Sequence, residues 1–410
     1  MNEAEKQIPR NFVPEPFGYH QELELTIDTL TNLGVGLGRI DEWVVMVPFS
    51  LPDGRVRARI FRNHKNYSDA DLLEVITPSP ERVEPGCALF GQCGGCQYQH
   101  LAYSAQLDWK HSQVTELMQR MAGIEHPVEA VHGSPEAYGY RSKLTPHFQK
   151  PGKGKDVPIG FLRYGQRNSI IDVPQCPIAT DAINAALPEE RRKIKSGERK
   201  FKKGGTLMLR HTLEGVTNNH QEIVSERVGG LIFQFLAGDF FQNNPFILPA
   251  FLEYGVKQAA GAGVPNLVDA YCGSGAFALT GAKHFERVLG VEINASAVRW
   301  ANTNAKVNRI ENAQFRVGEA EAIFAHIDFP GDSAAVIIDP PRAGCDEKFL
   351  QQLLELAPRR IVYVSCEPST QARDLQFLLG RDTYRVSRIQ PFDLFPQTRH
   401  IENVVTLDKA

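Results

Sequence analysis

No apolar run in this 410-residue chain approaches the roughly 20 residues that a bilayer-spanning helix requires. The first residues, Met1 to Lys6, are polar and lack the apolar core of a secretory signal. Both absences point to a cytoplasmic protein with no membrane partner. A large net charge is missing as well, since 45 Lys and Arg stand against 48 Asp and Glu, a formal charge of −3. The chain is no polycation, so any nucleic-acid surface must be local. An even set of cysteines is also absent. There are 7, and an odd number in a cytosolic chain argues against a disulfide framework. Internal repeats and low-complexity tracts are lacking too.

What is present is an ordinary globular composition, 42% hydrophobic and 23% charged, at a length that suits two or three domains. One segment is strongly basic: residues 191–203 read RRKIKSGERKFKK. Two readings stand for it, a solvated loop or a segment that contacts phosphates. Cys87, Cys93 and Cys96 crowd into one short stretch that contains Gly94 and Gly95. That spacing suits a metal, and by itself it leaves zinc and an iron–sulfur cluster both open.

Along the chain, residues 1–18 read as a loose proline-containing tail. Residues 19–79 hold short alternating runs such as LELTIDTL, EWVVMVPF and GRVRARIFR, broken by Gly, Pro and Asp. Five such strands predict a small OB-type β-barrel. Residues 80–240 read as an α+β central domain, with a helix over 98–123 and strand-like stretches at 158–173 and 206–213. Residues 241–410 read as the last domain. From Val264 onward strands and helices alternate, which predicts a doubly wound, Rossmann-like α/β domain on a mostly parallel sheet.

Four features of that last domain carry chemistry. Asp269-Ala-Tyr-Cys-Gly-Ser-Gly-Ala276 follows a strand and opens a helix, and its glycines let the backbone approach a ligand. Dinucleotide enzymes have such turns too, although Ala278 stands here where their third glycine falls. The next strand ends in Glu292, an acid placed to bond both hydroxyls of a ribose. Asp339-Pro340-Pro341-Arg342 makes a rigid strand-end turn. The strand RIVYVS ends at Cys366, which is either a nucleophile or a small buried hydrophobe. Tyr271, Glu292, Asp339 and Cys366 all lie at strand carboxyl ends. In a parallel sheet those ends share one edge, so the four can line one cleft.

The motifs taken together resemble the RNA uracil-C5 methyltransferases, the tRNA and 23S rRNA m5U enzymes. The matching pieces run in order: SPERVEPGC, CGGCQYQH, YRSK at 140–143, DVPQCPI, FFQNN at 240–244, DAYCGSG, GVEIN, IIDPPRAG, VYVSCEPSTQARDL and TRHIENV. The resemblance implies a SAM-dependent methyl transfer to carbon 5 of a uridine. Cys366 matches the family nucleophile. Glu402, otherwise one acid among 48, matches the base that removes the C5 proton. Gln242, Tyr271, Glu292 and Asp339 match SAM-contacting positions, with Asp339 and Gln242 also facing the uracil. Cys87, Cys93, Cys96 and Cys176 match the ligands of a [4Fe–4S] cluster. The radical methylthiotransferases, which need C-x3-C-x2-C, do not share this spacing. The barrel resembles the TRAM domain, and Arg141 and Lys143 of YRSK join it as expected RNA contacts. The helix at 98–123 is expected to pack on the catalytic domain. Cys272 and Cys345 carry no implied role beyond packing. The implied partner is RNA, 23S rRNA ahead of tRNA, bound by a monomer. Glu367 stands where many relatives have Asn.

Overall fold

The structure, a computed structural model, describes residues 8–149, 157–198, 204–318, 324 and 327–410. The chain forms two compact units. One comprises the residues up to Gln113 with Arg163–Arg167 and Gln397–Arg399, and the other holds the remainder.

The first unit is built on a closed barrel of β1 (Glu22–Leu30), β2 (Val35–Ile40), β3 (Trp43–Pro48), β4 (Arg55–Asn63) and β5 (Tyr67–Thr77), in the order β1-β2-β3-β5-β4. Its alternation is direct: Val56, Ala58 and Ile60 point inward between Arg55, Arg57 and Arg59. The outer arginines face acids across the ladder, as Arg55–Glu24, Arg57–Glu22, Arg57–Glu74 and Arg59–Asp71. These pairs are exposed and screened by solvent, so they contribute little to stability. The expected tail 1–18 is partly barrel: Phe17 is buried in its core, Phe12 packs on it, and Asn63 donates to the carbonyls of Val13 and Phe17. Residues 1–7 lie outside the described ones.

Helix α1 (Tyr103–Ala122) begins five residues later than the pattern over 98–123 predicts. Leu101 instead bridges Arg82 in the first unit, and Gln106 donates to the carbonyls of Tyr98 and Leu101. Gly123, with φ of 65°, ends the helix in the left-handed conformation that favours glycine.

In the second unit, small sheets come first. β6 (Lys143–Leu144), β11 (Leu209–Thr212) and β12 (Gly215–Thr217) form one. β7 (His147–Phe148), β8 (Ile159–Leu162), β9 (Ile170–Asp172) and β10 (Gly205–Thr206) form another. Helix α2 (Asp181–Lys195), capped by Thr180, buries Ile183, Leu187 and Ile194 beside them. It also absorbs the described part of the basic run. Arg191 is buried and donates to the carbonyls of Ile159 and Val173 and to Asp172, while Arg192 and Lys193 pair with Glu189, Glu190 and Glu198. Residues 199–203 lie outside the described ones.

The hairpin β13 (Ile223–Val228) and β14 (Leu231–Leu236) does not belong to a separate central domain. Val224, Phe233 and Phe235 share one core with the last part of the chain, and Asn304 and Asn308 accept from the backbone of Gln234 and Ile232. The expected boundary at 240/241 therefore falls inside a continuous core.

Helix α3 (Leu248–Ala260), unread in the sequence, leads into β15 (Asn266–Ala270). Then follow α4 (Ala276–Gly281), β16 (Arg287–Glu292), α5 (Ala295–Val307), β17 (Ala313–Val317) and β18 (Ala334–Ile338). The chain ends with α6 (Glu347–Leu356), β19 (Arg360–Ser365), α7 (Pro368–Leu379), β20 (Tyr384–Phe392) and β21 (Glu402–Lys409). The strands form one sheet in the order β17-β16-β15-β18-β19-β21-β20. β15 to β19 are parallel, and β21 enters antiparallel between β19 and β20. Every residue of β15 and β18 is buried, as expected for strands covered on both faces. The strand order reverses between β15 and β18, which places the binding crevice at their carboxyl ends.

Candidate active site

The turn after β15 approaches that crevice. Tyr271 adopts φ of 64° and Gly273 φ of 53°, with nothing within 4 Å of a side chain built on Gly273. Gly275, at φ of 91°, caps α4, and a Cβ there would meet the Phe315 ring at 3.1 Å. Glycine is thus required at 275 by backbone and by packing together. Asp269 is buried: one carboxylate oxygen accepts from the Ala278 amide at 2.8 Å, and the other has no partner. Glu292, ending β16, accepts from the amides of Gly273 at 3.2 Å and Asn294 at 2.8 Å. Its carboxylate keeps lone pairs free for a ligand's hydroxyls. Open space over Gly273, an orphaned buried oxygen and a strand-end acid fit a nucleoside-bearing cation such as SAM.

Tyr271 departs from the simplest expectation. Its ring packs on Phe349 at 5.2 Å, and its hydroxyl faces the buried Cys345 thiol. Cys345 is therefore more than filler. Burial and Asp374 push its thiol up to about 12, and Asp374 accepts from Tyr363 at 2.6 Å and from the Cys345 amide at 2.8 Å. The same helix, α7, reaches the turn that follows β18. Thr370 donates to the Arg342 carbonyl and Arg373 to those of Ala343 and Cys345. The segment that carries Cys366 and the segment that carries Asp339 and Arg342 are thereby strapped together.

Cys366 and Glu402 meet through sheet register. Ser365 pairs with Asn403 across β19 and β21, so Cys366 and Glu402 are the next residues to face each other. Gln371 locks the pair, donating to the Tyr363 and Asn403 carbonyls and accepting from the Asn403 amide at 2.7 Å. Burial raises the Cys366 thiol to about 11, and the charges of Glu402 and Asp339 add to the effect. Arg342, hydrogen-bonded to the thiol, works the other way. Burial also lifts Asp339 to about 7 and Glu402 well above the carboxylate range, the latter with help from Asp339. One cation, Arg342, thus opposes the rise at both Cys366 and Glu402. The sequence reading gave Arg342 no role, although it stands in the quoted DPPR.

This geometry sets the pH at which the thiol reacts. Asp339→Asn removes a negative neighbour, so the thiolate forms at lower pH; Arg342→Ala removes the positive one, so it forms at higher pH. Each shift is about one pH unit. Alkylation of Cys366 in the free protein, followed by peptide mass spectrometry across pH, measures both. Identical profiles in the two variants would show that other groups govern the thiol.

The four cysteines expected to hold a cluster are divided between the two units. Cys87, Cys93 and Cys96 share one loop of the first unit, where burial raises the Cys93 thiol and Cys87 lies near it. Cys176 belongs to the second unit, packed beside the α2 core and bonded through its amide to Asn184. Among the described residues no three His, Cys, Asp or Glu side chains gather closely enough to hold a metal ion. The expectation of a [4Fe–4S] centre is not supported.

The sequence pattern of the tRNA (uracil-5-)-methyltransferase family matches residues 217–410, and that of the TRAM domain matches 20–73. The tRNA (uracil(54)-C(5))-methyltransferase of Schizosaccharomyces pombe is 42% identical over 100% of this chain and 82% of its own length. The chain belongs to the RNA uracil-5-methyltransferase family. The Saccharomyces cerevisiae protein of the same description is 36% identical over 95% of this chain and 74% of its own length. Among solved structures, the Pyrococcus abyssi tRNA (uracil-54, C5)-methyltransferase in complex with S-adenosyl-L-homocysteine superimposes with a TM-score of 0.73. That match spans 94% of this chain and 100% of that one at 24% identity, and it bears on the fold alone. The N-terminal barrel is a TRAM domain, and the seven-stranded domain is that of a SAM-dependent RNA uracil-5-methyltransferase. No helix among the described residues is long and apolar enough to cross a membrane.

Proposed function

We propose that this methyltransferase acts on uridine 54 of tRNA, with Cys366 as the nucleophile and Glu402 as the base that takes the C5 proton. The facing of Cys366 and Glu402 across the β19–β21 register, beside Asp339 and Arg342, carries the residue roles. The tRNA assignment is supported by the two yeast relatives, which align over nearly the whole chain. It replaces the ribosomal expectation, which rested on the barrel together with the four cysteines.

Carbon 5 of uracil is a poor nucleophile until something adds at C6. The Cys366 thiolate forms an S–C6 bond and moves the C5=C6 electron pair into an enolate spanning C5, C4 and O4. SAM, when bound, supplies an electrophilic methyl group; Gln242, Tyr271, Glu292 and Asp339 are the residues proposed to hold it. Carbon 5 then carries both a methyl group and a hydrogen. Glu402 accepts that hydrogen as a proton, the C5=C6 bond re-forms, and the S–C6 bond breaks to return the thiolate. A stacked base offers neither face, so the uridine must be unpaired or extruded at a cost of a few kcal/mol.

Mapping 5-methyluridine in cells that lack the protein tests the assignment. The expected result is loss at tRNA position 54 with the ribosomal pattern intact. Loss confined to ribosomal RNA would overturn the tRNA reading and leave the chemistry standing.

A further inference from the structure

Lys143 lies on β6 directly opposite Arg210 on β11. Two cations facing each other across a ladder repel, so the pairing needs compensation from elsewhere. Glu226 and Asp239 offset part of it at Arg210, and one short turn bonds both cations through its carbonyls. The Lys143 ammonium donates to the carbonyls of Gly238 at 3.1 Å and Asp239 at 3.2 Å, and the Arg210 guanidinium donates to that of Asp239 at 2.9 Å. The far end of the same turn is held from the same strand segment. Ser142 gives the Asn243 carbonyl two bonds, from its amide at 2.8 Å and its hydroxyl at 3.2 Å. Arg141 donates to the Lys143 carbonyl and steadies the donor strand itself.

Between these pinned ends lie Phe240, Phe241 and Gln242. Phe241 is driven inward and stacks on Phe235 at 4.5 Å. The Arg210 guanidinium covers the Phe235 ring at 4.9 Å. Phe240 and Gln242 flank that anchor, Phe240 at 79% exposure and Gln242 half-buried. Arg210 itself is 1% exposed, and two of its nitrogens have no partner. Lys143 is half-buried, and burial followed by repulsion from Arg210 lowers it to about 8. A side chain spent this way is poorly placed to neutralise a phosphate, which is the role the sequence suggests for Arg141 and Lys143.

We infer that Ser142, Lys143 and Arg210 are positioning residues that bracket the Gly238–Asn243 turn through its carbonyls and so fix Phe240 and Gln242 for the reaction. The inference rests on the reading of Gln242 as an active-site residue.

The test uses the full chain, SAM and an unmodified tRNA transcript. Lys143→Met should lower kcat by roughly 100-fold, the scale of a small misplacement of reacting groups. The salt dependence of tRNA binding should stay unchanged, whereas SAM affinity by calorimetry should weaken, since Gln242 is one of the residues proposed to hold SAM. Lys143→Arg, which still donates to carbonyls, should recover much of the loss. A salt slope reduced by about one with kcat intact would show that Lys143 binds phosphate, and would overturn the bracket. If Lys143→Met does not fold, Ser142→Ala decides, since it deletes one bond and keeps the amide. A fall in kcat at unchanged thermal midpoint supports the bracket, and wild-type kcat overturns it. Gln242→Ala separates the two readings. If that variant turns over normally, the assignment of Gln242 fails; if it is impaired while Lys143→Met and Ser142→Ala are normal, the bracket alone fails.

Discussion

Cys366→Ala abolishes methyl transfer, by a factor on the order of 10⁴ or more, while the protein still folds and binds SAM. The size follows from the chemistry: without a thiolate at C6, carbon 5 never becomes nucleophilic, and no neighbouring group replaces it. Folding survives because Cys366 lies just past the end of β19, half-buried at the cleft, and alanine fills the same direction. The strap of Thr370, Arg373 and Asp374 on the turn after β18 does not involve the thiol. SAM affinity by calorimetry and turnover on a tRNA transcript measure the two halves. Turnover above about one per cent of wild type would remove Cys366 from the nucleophile's role.

Glu402→Gln gives a different failure, and the difference identifies the residue. The covalent bond to C6 still forms and the methyl group is still transferred, but the C5 proton has no acceptor. Elimination stalls, and protein–RNA adduct accumulates. Two electrostatic facts favour this outcome over simple inactivity. Glu402 is one of the charges that hold the Cys366 thiol up, so a neutral amide lets the thiolate form at lower pH. Glu402 is also buried beside Asp339, and a carboxylate that ionises reluctantly is a strong base once ionised. A denaturing gel with labelled tRNA reads the adduct directly. An inactive variant that traps no RNA would make Glu402 a binding or structural residue.

Much of the architecture was legible because local rules produced it. The period-two alternation of Val56, Ala58 and Ile60 announces a half-buried strand, and the alternation of apolar strands with helices after Val264 announces a parallel sheet. β20 escaped because it is the sheet's last strand. Arg385 and Arg388 break its pattern, and only half of it is buried. The membership of the β13–β14 hairpin also escaped, since which core it joins depends on Asn304 and Asn308, far along the chain.

By itself the sequence determined the glycine turn at 273–275, the strand-end positions of Glu292, Asp339 and Cys366, and the barrel's inward rows. Each follows from backbone sterics or side-chain period within a few residues. The tertiary structure alone decided three matters. It put Glu402 beside Cys366 by inserting β21 antiparallel against β19, a pairing that no local pattern encodes. It turned Lys143 and Arg191 from apparent phosphate contacts into internal donors, because burial gives a cation no choice but to bond the carbonyls and carboxylates around it. And among the described residues it gathers no three His, Cys, Asp or Glu side chains closely enough to hold a metal ion, a matter that the spacing of Cys87, Cys93 and Cys96 along the chain does not fix.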